Sequence, residues 1–140
     1  MQGKIKTQIA IAAAILFVGF SVGFLKWREL TITNERLCFA LNVKRLPEGT
    51  RIVGHAEDIW TDYVVHFVVR IPAGKISEFM SGRDWVRLTS RPHPASRQGY
   101  TEGLPTFIVY HEYILRGGYN GLSIQTDEQE TTAYVLHMAD

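Results

Sequence analysis

Eighteen consecutive residues, Gln8 to Leu25, carry no charge, and Lys4, Lys6, Lys26 and Arg28 bracket them. A run this apolar has no face that prefers water, so it belongs in a bilayer or in a signal peptide. As a helix rising about 1.5 Å per residue it spans about 27 Å, against a hydrocarbon core of about 30 Å. Trp27 follows at the depth where an indole favours the headgroup zone. The helix is expected to run on to Leu30 and to break at Thr31-Ile-Thr-Asn34.

Two fates compete for this run. As a cleaved signal peptide it would use Lys4 and Lys6 as the charged start and the small residues of Ser21-Val22-Gly23 at the cut. As an uncleaved anchor it would simply stay. Hydrophobicity continues past Gly23 in Phe24 and Leu25, and no polar, helix-breaking stretch precedes the would-be cut, so the anchor is the expected outcome. Counting Lys and Arg on both flanks would leave the following domain in the cytoplasm. A very short, doubly basic tail before an apolar run is also how exported chains begin, and export is the expectation adopted here. Gly19 and Gly23 lie on one helix face four residues apart, where a second helix can approach closely. Homodimerisation through that face is the implied use.

Only about 115 of the 140 residues follow Leu25, enough for one compact domain and too few for two. The expected division is a tail over 1–7, the membrane helix and its extension over 8–30, a linker or first element over 31–45, and a globular domain over 46–140. Lys4 and Lys6 precede the run, leaving 13 of the 15 basic residues against 14 acidic ones. So balanced a domain lacks the basic footprint of a nucleic-acid binder. The single cysteine, Cys38, excludes a disulfide framework and a Cys-rich metal site. It reads as a small buried hydrophobe.

Leu37 to Val43 is apolar but too short to classify as strand or helical turn. Leu46-Pro-Glu-Gly49 is a turn, and Thr50 to Glu57 reads as a strand. Asp62 to Ile71 alternates most clearly. Tyr63, Val65, Phe67, Val69 and Ile71 form one apolar face for the core, and Asp62, Val64, His66, Val68 and Arg70 form a half-polar face expected to meet water in part. Pro72 ends that strand. Ile76, Phe79 and Met80 form the stripe of a short helix closed by Ser81-Gly82. Trp85 to Leu88 could extend the helix or make a brief strand. Arg91 to Arg97 is a loop because of its two prolines. Thr106 to Arg116, Leu122 to Thr126 and Thr131 to Met138 form a meander, turning at Gly117–Gly121 and Asp127–Glu130. This order predicts an α+β domain: an antiparallel sheet of about five strands with one short helix packed on it.

From Leu46-Pro47 through a strand centred on Phe67, then Ile71-Pro72 and a helix ending near Phe79, with Asp127 and Tyr134 in the closing hairpin, the chain resembles small bacterial membrane-anchored envelope proteins of unknown function. The resemblance covers about half the chain. It implies an envelope location and carries over no catalytic residue; with the apolar run and the short basic tail, the expected place is the inner (plasma) membrane, crossed once, with the domain on the extracytoplasmic side. The chain departs from the lipoprotein members, since no acylation cysteine follows its apolar run.

No motif of known chemistry appears. His55, His66, His93, His111 and His137 lack the spacing of a zinc site. There is no Gly-x-Ser-x-Gly elbow and no phosphate-binding glycine motif. The segment with most promise holds Arg83, Arg87, Arg91 and Arg97 with Trp85, His93 and Tyr100 interleaved, a composition suited to carboxylates and other anions. The expectation is therefore a non-enzymatic, membrane-tethered interaction domain with a protein partner in the envelope, needing neither cofactor nor metal. Two alternatives stand beside it: a small metal- or ligand-binding domain or hydrolase using the strand histidines, and a structural subunit of a membrane complex held through Gly19 and Gly23.

Overall fold

A single helix, α1 (Gln2–Leu41), opens the chain. The computed structural model describes residues 2–58, 63–89, 91–95, 103–117 and 121–139, with side chains from residue 8 to 138. Two units are distinguished, Met1–Glu35 and Arg36–Asp140.

In the first unit, α1 presents its apolar residues outward: Ile11, Ile15, Leu16, Phe17, Phe20 and Leu25 are all more than half exposed. The helical stretch Gln8–Leu41 is long and apolar enough to cross a membrane. The expected break at Thr31–Asn34 does not occur. Thr31 Oγ1 donates to the Trp27 carbonyl and Thr33 Oγ1 to the Glu29 carbonyl. A threonine hydroxyl bonded one turn back fits the helix, so the β-branched residues are carried through rather than ending it.

In the second unit, the last turns of α1 bury Leu37, Ala40 and Leu41 completely. The helix stops at Asn42, whose φ of 56° is left-handed. Asn42 N–H donates to the Phe39 carbonyl and Val43 N–H to the Cys38 carbonyl. This bond pair is the Schellman closure, which satisfies carbonyls that would otherwise be orphaned.

Beyond α1 lie β1 (Arg51–Asp58), β2 (Tyr63–Arg70), α2 (Ile76–Phe79), β3 (Trp85–Leu88), β4 (His93–Pro94), β5 (Ile108–Val109), β6 (His111–Leu115), β7 (Leu122–Thr126) and β8 (Thr132–Ala139). Six strands form one antiparallel sheet in the order β1-β2-β8-β7-β6-β3, and β4 pairs with β5 apart from it. The domain is α+β, with one more strand in the main sheet than the sequence suggested. That strand is β3, whose partner β6 lies far along the chain. The stretch expected to be one strand from Thr106 divides at Tyr110, with Val109 paired to His93 and His111 to Thr126. Pro94 sits within β4, tolerated because a two-strand ribbon can leave a proline's missing donor on its outer side.

The connection from β2 to β3 crosses one face of the sheet through α2. Phe79 and Met80 from α2 join Leu37, Ala40 and Leu41 from α1 over Val65, Phe67, Val69, Ile124, Ala133 and Val135. Each fully buried side chain of this size contributes about 1.5–3 kcal/mol. Gly82 is required where the chain passes the end of α1, since a Cβ there would lie 2.2 Å from the Asn42 carbonyl oxygen.

The opposite face was expected to meet water in part, and it does so at its ends, where Arg70 is exposed and Val64 half-buried, while His66 and Val68 between them are buried. Val68, Leu136 and Tyr134 are buried against Leu104, with Val64, Ala56, Phe107 and Met138 around them. Part of the connection from β3 to β6 supplies this cover. It passes so close over β1 that a Cβ at Gly54 would meet Leu104 Cδ2 and Pro105 Cδ at 2.9 Å.

Candidate functional site

Arg83 and Trp85, the first members of the arginine- and aromatic-rich segment, are drawn into the domain's own architecture. Arg83 Nε donates to the Ala40 carbonyl at 2.7 Å, and Asn42 Nδ2 donates to the Gly82 carbonyl at 3.0 Å. A guanidinium there also answers the partial negative charge at the C-terminus of α1. Trp85 Nε1 donates to the Met80 carbonyl at 2.9 Å, and its ring packs against the helix-covered core.

Arg87 stands differently. It lies opposite Tyr113 in the β3–β6 ladder, so the two share a face. Its guanidinium donates to His111 Nδ1. His111 Nε2 lies 3.2 Å from the Glu128 carbonyl, which can only accept. Arginine can only donate and the carbonyl can only accept, so these two contacts suit a ring with Nδ1 as the acceptor and N–H at Nε2. Tyr113 donates its hydroxyl to Glu130 Oε1. Burial foremost, then the bond to and charge of Glu130, push the Tyr113 phenol up to about 12, with Arg87 pulling the other way. Thr126, opposite His111, is fully buried, and its hydroxyl has no partner among the described residues.

Glu130 has a φ of 56°, a conformation where glycine or asparagine is usual. It follows the turn closed by Glu130 N–H to the Asp127 carbonyl. Asp127 steadies that turn by accepting from the Thr131 and Thr132 backbone N–H groups and from the Thr131 hydroxyl. A glutamate held here places a carboxylate under Tyr113. Arg87, His111, Tyr113 and Glu130 thus form a mixed-charge cluster beside the edge strand β3.

Arg91 is exposed and His93 half-buried, with its Nδ1 against the Pro94 carbonyl. Arg97 and Tyr100 lie outside the described residues. The segment is therefore not one continuous basic surface: Trp85 serves the core, Arg83, though exposed, is tied to the end of α1, and Arg87 and Arg91 are exposed further along. Sequence reasoning overlooked Tyr113, Glu130 and the pairing of His111 with Arg87. The alternation of His111, Tyr113 and Leu115 marks one face, but only the long-range pairing of β3 brings Arg87 to it.

A second cluster borders β1, the other edge strand. Arg36 of α1 pairs with Glu57, and His55 Nε2 lies 3.4 Å from the same carboxylate. Burial, then the bond to Glu57, raise the Tyr63 phenol. His55 also packs its ring 5.4 Å from that of Phe67.

The histidines separate. His55, opposite Phe67, and His137, opposite Val65, share the helix-covered face, whereas His66 faces the other side. Among the described residues no three His, Cys, Asp or Glu side chains gather in a manner that could hold a metal ion. Gly19 and Gly23 stand open, with nothing within 4 Å of a Cβ built at either. Compared with protein-family models, with curated proteins and with solved structures, the chain matches none.

Proposed function

We propose that this chain is a single-pass protein of the bacterial inner (plasma) membrane whose α+β domain, held outside the cytoplasm, binds a protein partner in the envelope and performs no chemistry itself. The observation that carries the reading is α1. Its apolar run is exposed, and the helix continues unbroken through Ser21–Gly23 and on to Leu41. Signal peptidase requires an extended segment at its cut, and an unbroken helix offers none, which favours the anchor. The contact surface we assign is the β3 edge, where Arg87 and Arg91 offer guanidinium groups beside a strand with one side left unpaired in the sheet order. The Gly19/Gly23 face is a second, intramembrane surface for another copy.

Extraction of whole membranes with alkaline carbonate tests the anchor: the full-length chain stays in the pellet and moves only with detergent. Release into the supernatant at full length refutes it. Topology is read from Gln129→Cys in a Cys38→Ala background, placed on an exposed turn. Labelling of intact cells by an impermeant maleimide supports the extracytoplasmic side. Arg87→Glu combined with Arg91→Glu should abolish crosslinking to envelope partners, and unchanged crosslinking removes the β3 edge as the contact surface.

A further inference from the structure

β3 ends the sheet order, so one side of its backbone meets no strand of that sheet. The register tells which groups lie on that side. Arg116 N–H donates to the Asp84 carbonyl at 2.9 Å, and the β3–β6 ladder continues the same register without a shift. In an antiparallel ladder the bonded pairs recur at every second residue. Val86 and Leu88 therefore direct their N–H and C=O groups to β6, and Trp85 and Arg87 turn theirs outward. None of the described residues bonds those four outward groups.

The other edge is closed by several means. β1 carries a bulge between Ile52 and Gly54, Leu104 and Pro105 pass close over it, and Arg36 pairs with Glu57 near its end. β3 has neither bulge nor proline. Arg87 and Leu88 are exposed, and Trp85 and Val86 are half-buried. Side chains alternate along the strand, so Arg87 shares one face with Trp85, while Val86 and Leu88 share the other. The Arg87 guanidinium is bonded to an imidazole nitrogen of His111, which carries no negative charge. No carboxylate among the described residues pairs with Arg87. Glu130, the acid on that face, accepts from the Tyr113 hydroxyl.

We infer that β3 takes an added strand. An extended segment of the partner pairs with Trp85–Leu88, antiparallel like every pairing in this sheet. It sets a carboxylate opposite Arg87 and an apolar residue on each side of that acid, against Val86 and Leu88. The inference rests on the β3 edge being the contact surface and names the kind of segment that edge accepts. Arg87 acts as the filter, since a strand without an acid leaves the guanidinium unmatched. β3 itself contains no acidic residue, so a second copy of it supplies no match.

The probe is an end-blocked peptide, Ser-Thr-Val-Glu-Val-Thr-Ser, titrated against the full-length protein in detergent. The same peptide with Val-Lys-Val at its centre should bind at least about tenfold more weakly. N-methylation separates strand addition from charge attraction. A methyl on the Glu nitrogen removes the N–H that donates to the Arg87 carbonyl and should cost about tenfold. A methyl on the next Val nitrogen, which points away from β3, should cost little. Amide exchange gives a second readout: Trp85 and Arg87 should exchange freely in the unbound protein and become protected with peptide, whereas Val86 and Leu88 are protected throughout. Arg87→Glu should reverse the preference and favour the Val-Lys-Val peptide. No saturable binding up to about 1 mM overturns the inference, as does equal binding of the two methylated peptides or of the acid and lysine peptides. An Arg87 amide protected before peptide is added overturns it too, whether the cover is this chain or, where protection rises with protein concentration, a second copy. Lost envelope crosslinking in the Arg87→Glu, Arg91→Glu variant together with equal binding of the methylated peptides would keep the edge as the contact surface and reject strand addition alone. Unchanged crosslinking would reject both.

Discussion

The two faces of the sheet are sealed by different means. One lies beneath regular helix, the last turns of α1 and the short α2, and its core cluster is apolar, with the fully buried Thr126 opposite Ala133 on the same face. The other lies beneath an irregular segment and holds His66, Tyr134, Ser123 and Gln125 among its buried groups. A helix satisfies its own backbone and can press an all-carbon surface onto the sheet. An irregular segment has to find partners for its polar groups elsewhere. The comparison separates a face closed by regular helix from one closed by irregular chain over buried polar groups.

Truncations separate the faces most sharply. Phe79→Ala, under the helices, should cost about 3–5 kcal/mol in denaturant unfolding of the detergent-solubilised protein. Leu104→Ala, in the irregular segment that covers the other face, should cost about 2 kcal/mol, because such a segment can settle into the space. Equal losses would mean the two covers are equivalent. Arg83→Ala should cost about 1 kcal/mol by removing the guanidinium from the Ala40 carbonyl at the end of α1. A neutral result would return Arg83 to the pool of surface arginines.

Alkaline titration examines the edge of the helix-covered face. The Tyr113 proton is held more tightly in the folded state than in the unfolded one. Its contribution to stability is therefore complete below the ordinary phenol value of about 10 and is lost as pH climbs through about 12. Ultraviolet difference spectroscopy should show the count of late-ionising tyrosines fall by one in Tyr113→Phe. The smallest effect is expected from Glu130→Gly, within about 0.5 kcal/mol of zero, since relief of the left-handed backbone offsets the lost hydroxyl bond. A large loss would show that the carboxylate matters more than the backbone it strains.

Alternation alone makes β2 legible in the sequence, down to which residues face the core. The Ile76, Phe79, Met80 stripe is equally plain, and so is the membrane-length apolar run. Each is a local pattern in which neighbouring residues state their own environment. What escapes is set by distant partners. Val64, His66 and Val68 look half-exposed until Leu104 is laid over them, and nothing near position 66 announces that. Thr31-Ile-Thr33 looks like a helix end unless the hydroxyls turn back to carbonyls one turn earlier. Arg83 and Trp85 look like surface chemistry because their acceptors, the carbonyls of Ala40 and Met80, belong to the ends of other elements. Of the candidate site, Arg87 is visible as a residue and invisible as a neighbour of His111, Tyr113 and Glu130.

Leu37, Ala40 and Leu41 make the end of the long apolar helix α1 part of the domain core. A soluble fragment designed to begin at Asn42, where the helix ends, would discard three side chains of its own core and should aggregate. One beginning just upstream of Arg36 keeps them, together with the Arg36–Glu57 pair. The same constraint would apply to shedding in the cell: a protease could liberate a stable head only by cutting between the lipid and Arg36.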